Sequence, residues 1–207
     1  MKKRIRILYA DTGGGHRSAA EAIVHGLNLV SGDAYDTQLT NAFGMLPFPF
    51  KGAEETYPIW VNYARVAYGL AFHATNGRRR VVAIRTAFEP MTDPVADAFL
   101  EQHPADLYVS CHPGYNLGVP DAIQRAGLPC KFVNVVTDLV SGHVAAFNPL
   151  TDCCIVPTDV AARQAIENGV PESKVVVCGQ PVWPDFRQRM GSRAETRAAL
   201  NLRDDLP

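Results

Sequence analysis

The chain has almost no excess charge, few cysteines and no long apolar run, and each shortage removes a class of protein from consideration. Twenty Lys and Arg against 21 Asp and Glu leave a net charge of −1 over 207 residues. So balanced a chain has no field to draw a phosphate backbone, and no nucleic-acid partner is expected. Five cysteines, an odd number without CxxC spacing and with Cys153 and Cys154 adjacent, make no disulfide frame and predict reduced thiols in a cytosolic protein. No stretch approaches the roughly 20 apolar residues of a spanning helix, so any membrane contact is expected to be peripheral. The basic start Met1-Lys2-Lys3-Arg4 leads into an apolar run that meets Asp11 too soon for a secretion signal. Also missing are the Lys-Ser/Thr pair that closes a Walker loop and the full glycine spacing of the dinucleotide fingerprint. No DxD pair follows a strand, and Asp204-Asp205 stands near the carboxyl end.

What is present is concentrated at Asp11-Thr12-Gly13-Gly14-Gly15-His16-Arg17-Ser18. Ile5, Ile7 and Leu8 before it read as a buried strand, and Ala19, Ala20, Ile23, Leu27 and Val30 after it recur at helical spacing. Gly13, Gly14 and Gly15 permit φ > 0 and close approach of a ligand, while the free amides of the first helical turn favour an anion. His16 stands at the mouth of this loop, and an imidazole with an ordinary pKa near ~6.5 can accept a proton at neutral pH. A tight strand-to-helix connection with a solvated histidine has the same pattern.

Further on, a strand is expected over 35–39, a Phe- and Pro-rich loop over 41–52, helices over 54–75 and 78–88, and another over 92–102. The strand–helix rhythm then continues with strands at 107–110, 131–136, 153–156 and 175–178 and helices at 117–125, 160–168 and 192–202. Apolar strands without alternation, separated by helices, predict an α/β fold: a Rossmann-like parallel sheet with helices on both faces. Ligands of such sheets sit at the carboxyl ends of the strands. Those ends are polar here: Asp11 to His16, Ser110-Cys111-His112-Pro113, Thr137-Asp138 with His143 behind, and Gly179-Gln180-Pro181.

The segments from Asp11 to Ile23, Val136-Thr137-Asp138-Leu139 with His143, Val156-Pro157-Thr158, and Gly179-Gln180-Pro181-Val182 resemble, in that order, the amino-terminal domain of monogalactosyldiacylglycerol synthases. They are similar to the processive diacylglycerol glucosyltransferases of bacteria, and the glycine loop with its histidine looks, more distantly, like that of the peptidoglycan enzyme that adds N-acetylglucosamine to lipid I. The resemblance implies the amino-terminal half of a GT-B fold: an acceptor-binding domain over residues 1–190 and a linker over 191–207 toward a UDP-sugar-binding domain beyond this chain. The implied enzyme is an inverting, metal-independent hexosyltransferase that needs no cofactor besides the UDP-sugar as donor substrate, and the fragment alone is expected to be inactive. The chain departs from the pattern at Val144-Ala145-Ala146-Phe147, where relatives carry a Pro-Thr-Trp-Phe-like run, and at Gln180, where they carry a small or apolar residue.

On this reading His16 is the expected base, with Asp11 or Asp138 orienting it or stabilising its charged form and Asp138 the alternative base. Gly13, Gly14, Gly15, Thr137, His112 and His143 are the expected substrate-binding residues, the glycine amides facing a diphosphate oxygen or an anionic lipid headgroup. Phe48, Phe50 and Trp60, with Arg78, Arg79 and Arg80, would meet an anionic membrane surface on its cytoplasmic, inner face, from which a diacylglycerol-type acceptor would come. The same aromatic stripe and arginine run also fit a core helix and a solvated face. Two other functions share the pattern, a GT-B-like sugar-nucleotide epimerase and a non-catalytic lipid-binding module.

Overall fold

A computed structural model describes residues 1–46, 51–185 and 192–203. Six parallel strands make one sheet: β1 (Lys3–Leu8), β2 (Tyr35–Thr40), β3 (Leu107–Ser110), β4 (Lys131–Val135), β5 (Cys153–Val156) and β6 (Val175–Val177). Their spatial order is β2-β1-β3-β4-β5-β6. The chain leaves β1 to one side for β2 and returns to the other side for β3, so the switch point of the topology lies between β1 and β3. The register there pairs Ile5 with Leu107 and Leu8 with Ser110, which brings the loops after both strands to the same edge.

Alternation along the strands assigns the two faces. Ile5, Ile7, Val109 and Val135 pack on Ala20 of α1 (Gly15–Ser31). The opposite face carries Leu8, Tyr108 and Phe132 against Ala96, Phe99 and Leu100 of α4 (Arg78–Gln102) and Val119 and Ala122 of α6 (Val119–Arg125). On that same face, farther along, Cys154 and Val156 of β5 pack on Ala161 and Ala165 of α7 (Asp159–Glu167). The Rossmann-like parallel sheet read from the sequence is therefore present, and apolar side chains on both of its faces explain why central strands such as β3 and β5 lack polar alternation.

Two helical expectations need correction. The single helix expected over 54–75 is two, α2 (Ala53–Tyr63) and α3 (Arg65–Thr75), separated at Ala64 where ψ is 37°. Conversely, the helices expected over 78–88 and 92–102 are one 25-residue helix, α4, running through Pro90 and Pro94. Each proline removes one backbone donor. The helix nevertheless holds where Ala96, Phe99 and Leu100 are buried on the sheet and where Asp93 and Asp97 both reach Arg125 of α6, at 2.9 and 2.8 Å. A short helix α5 (Pro113–Asn116) follows β3, and α6 starts at Val119 rather than Leu117. Near the carboxyl end, α8 (Arg193–Ala199) opens on a capping box made by Ser192 and Glu195. All five cysteines are free thiols, and burial pushes those of Cys111 and Cys154 up to about 12. Among the described residues no helix is long and apolar enough to cross a membrane.

Candidate active site

The switch-point edge is built from the ends of β1, β3 and β4. Gly13 and Gly14 both have φ 81°, the left-handed region that costs an L side chain about 1–2 kcal/mol, and Gly14 caps α1 without a side-chain hydrogen bond. The first turn of α1 carries no acidic residue, so no carboxylate of that turn offsets the positive end of the helix.

His16 projects from that turn toward the neighbouring strand ends. Its Nδ1 donates to the Cys111 carbonyl at 2.7 Å, and Thr137 Oγ1 lies 3.1 Å from the same nitrogen. With the proton held on Nδ1, Nε2 keeps its lone pair, and among the described residues no hydrogen bond reaches it. Burial lowers the pKa of His16 below its ordinary value, opposed by the Cys111 hydrogen bond and by the negative charge of Asp138. The ring is therefore neutral and able to accept a proton through Nε2 at neutral pH.

The other two strand-end histidines use their rings differently. His112 Nδ1 accepts from the Gly114 amide at 3.1 Å, capping α5, while Nε2 lies 3.0 Å from Thr12 Oγ1. His143 repeats the device, Nδ1 accepting from the Ala145 amide at 3.1 Å and Nε2 lying 3.0 Å from Thr75 Oγ1. Both nitrogens of each ring are taken by the fold, which leaves no lone pair or proton for a substrate. Burial, followed by the nearby His16, holds the His112 pKa down to about 3. The rings of His16 and His112 meet edge to face with centroids 4.6 Å apart, so His112 acts as a wall that desolvates His16.

The remaining candidates divide. Asp138 lines a small cleft with His112, Asn116, Asn134 and Thr137, and its charge reaches His16. Asp11 instead lies 3.6 Å from Arg17, and among the described residues no hydrogen bond joins it to His16. Trp60 is 48% exposed, in company with Ile59, Tyr63, Val66 and Leu70 on α2 and α3. Phe48 and Phe50 lie outside the described residues. Arg78, Arg79 and Arg80 are exposed, but Arg80 bonds back to the Asn76 carbonyl at 2.9 Å, and Arg78 reaches so close to Gly169 that a Cβ there would stand 2.9 Å from its guanidinium.

Local sequence gave no signal for three further contacts. Glu54 accepts from the Asp11 amide and, at 2.9 Å, from Asn41. The Tyr57 ring lies over Gly13, where a Cβ would stand 3.2 Å from it. Tyr115 Oη donates to the Tyr9 carbonyl at 2.9 Å and accepts from the Ala42 amide at 2.8 Å. Helix α2 thus sits on the glycine loop, and the loops after β1 and β2 are tied to α5. Only the separation of these residues along the chain hides the link.

Comparison with known proteins bears on this edge. The family model described as monogalactosyldiacylglycerol (MGDG) synthase matches residues 16–182. Monogalactosyldiacylglycerol synthase 1, chloroplastic, of Arabidopsis thaliana is 29% identical over 211 residues, covering 99% of this chain and 39% of its own length. The chloroplastic synthase of Spinacia oleracea is 32% identical over 212 residues, with 99% and 40% covered. The chain thus spans about two fifths of the length of these relatives. Among solved structures, MurG of Acinetobacter baumannii aligns with 93% of this chain and 47% of its own at 12% identity and a TM-score of 0.46.

Proposed function

The chain belongs to the monogalactosyldiacylglycerol synthase family, and from that premise we propose that it is the acceptor-binding half of an inverting GT-B glycosyltransferase that moves a hexose from a UDP-sugar to diacylglycerol. Residues 1–190 form the acceptor domain in this reading, and 191–207 lead toward the half that holds the nucleotide sugar; the much greater length of the relatives supports that division. The observation that carries the mechanism is the orientation of His16, with Nδ1 fixed by the Cys111 carbonyl and Nε2 open beside the glycine loop.

In the reaction His16 Nε2 takes the proton of the acceptor hydroxyl as that oxygen bonds to the anomeric carbon. The bond from that carbon to the diphosphate breaks on the opposite side, and UDP leaves with the electron pair. Asp138, whose charge favours the protonated ring, stabilises the imidazolium that results, and Thr137 holds the ring in place. The amides of Gly15 and the turn after it face a diphosphate oxygen or an anionic headgroup. No metal or cofactor enters this scheme. The exposed apolar residues Trp60, Tyr63, Val66 and Leu70, with the exposed Arg79, support a peripheral seat on the inner, cytoplasmic face of an anionic membrane.

The test uses the complete gene product with UDP-galactose or UDP-glucose and dioleoylglycerol in mixed micelles. Labelled glycolipid is the expected product. Interconversion of the UDP-sugar without lipid would point to an epimerase, and lipid binding with no chemistry to a non-catalytic module; either would overturn the proposal.

A further inference from the structure

Behind Phe43 lies an apolar cavity of about 230 Å³, walled by Val81, Ile84, Phe88 and Val95 of α4 on one side and by Leu117 and Val119 on the other. Among the described residues its polar side chains are those of Thr75, Arg85, Thr92, Tyr115 and His143, and each already has a partner. Thr75 bonds His143 at 3.0 Å, and Thr92 donates to the Phe88 carbonyl at 3.1 Å. Arg85 reaches Asp121 at 2.8 Å and Glu89 at 3.3 Å. Tyr115 is held between Tyr9 and Ala42. A polar ligand entering here would lose its water against side chains that already have partners, whereas hydrocarbon loses nothing.

The place of the cavity indicates which hydrocarbon. The Phe43 ring that closes one end lies 4.8 Å from His112, whose ring is 4.6 Å from His16. Thr75, the last residue of α3, and Val81, in the first turn of α4, also line the cavity, and the same two helices carry the exposed apolar residues Val66, Leu70 and Val82. A chain lodged here would lie between helices that expose apolar side chains and a phenyl ring two ring contacts from His16.

We propose that this cavity holds one acyl chain of the lipid acceptor and so places the acceptor's free hydroxyl at His16 Nε2. The proposal rests on the reading of the acceptor as a diacylglycerol-type lipid. It assigns α4 to substrate selection by chain length, a task separate from the chemistry at the strand ends.

A diacylglycerol with a diazirine in one acyl chain, presented to the chain in mixed micelles, tests it by mapping the photoadducts. Adducts on the peptides that carry Val81, Phe88 and Val95 are expected. Ile84→Trp and Val95→Trp, two independent ways to fill the cavity, should each lower those adducts at least tenfold with the melting temperature preserved. In the complete gene product the same variants should raise KM for dioleoylglycerol about tenfold and leave KM for dihexanoylglycerol within twofold. Adducts confined to the α2–α3 peptides, or adducts that persist in both filled variants, would overturn the assignment. If the cavity is labelled and the complete protein transfers no sugar, the functional reading fails and the cavity stands; transfer without cavity labelling has the opposite meaning.

Discussion

Replacing His16 by alanine and, separately, His112 by alanine should give opposite phenotypes, although the two rings touch. His16 is half-buried and contributes one backbone hydrogen bond, to Cys111, so its removal costs about 1 kcal/mol of stability. A chain of this size then melts about 2–4 °C lower. Its loss as a general base slows turnover by about 10²–10⁴-fold, equivalent to about 3–5 kcal/mol in the barrier. His112 is 9% exposed, loses a cap to Gly114 and a partner in Thr12, and unseats Phe43 and Tyr115 from its ring. These losses together cost about 2–4 kcal/mol, visible as a large drop in melting temperature, while activity per folded molecule falls far less. Sugar transfer by the complete gene product, measured beside thermal unfolding of the same samples, separates the two. The pH profile adds a sign. The base works only when neutral, so kcat/KM falls as pH drops through the lowered His16 pKa. Because the Asp138 charge raises that pKa, Asp138→Asn should move the acid limb to still lower pH. Near-normal turnover in a folded His16→Ala protein, or an acid limb that moves up in Asp138→Asn, would refute the assignment.

Stability should fall on acidification, because His112 protonates near ~6.5 in the unfolded chain but only near about 3 in the folded one. Below the unfolded value the unfolded state binds the extra proton, and about 1.4 kcal/mol is lost per pH unit. His112→Asn, which keeps a cap acceptor and does not titrate, should flatten denaturant-derived stability between pH 6.5 and 4; an unchanged slope would assign the effect elsewhere. Gly114→Ala puts a methyl 2.3 Å from the Phe43 ring, so it should destabilise by about 1–3 kcal/mol in chemical denaturation, and Phe43→Leu should relieve much of that. Neutralising Arg78, Arg79 and Arg80 together as glutamines should weaken cosedimentation with phosphatidylglycerol vesicles, at up to about 1 kcal/mol per charge near the surface. Binding by the parent protein should fade as salt is added, and binding indifferent to lipid charge would return the arginine run at the start of α4 to an ordinary solvated face.

The sheet was legible in the sequence because most strands carry an apolar run that ends in polar residues, a pattern that burial on both faces writes into the central strands β3, β4 and β5. The glycine loop was legible for the same local reason. The run through Pro90 and Pro94 was not, since proline reads as a stop wherever sheet packing of Phe99 and Leu100 and the Arg125 clamp are out of sight. Three histidines at strand ends look alike in one dimension. Their different roles depend on which ring nitrogen meets a main-chain amide and which a carbonyl, and only His16 meets a carbonyl. The seating of Glu54 and Tyr57 on the glycine loop is a contact between residues more than forty positions apart, and no local pattern announces it.

The carbonyl that sets the His16 tautomer belongs to the main chain of Cys111, which makes this part of the machinery invisible to side-chain genetics. No substitution deletes that oxygen, so a mutational scan should find position 111 tolerant of small apolar residues even though its carbonyl holds the ring proton of the proposed base. Sensitivity would appear instead at neighbours that steer the path of the backbone, Ser110 and Gly114 among them, and a map of intolerant positions would outline the catalytic edge with a gap at its centre.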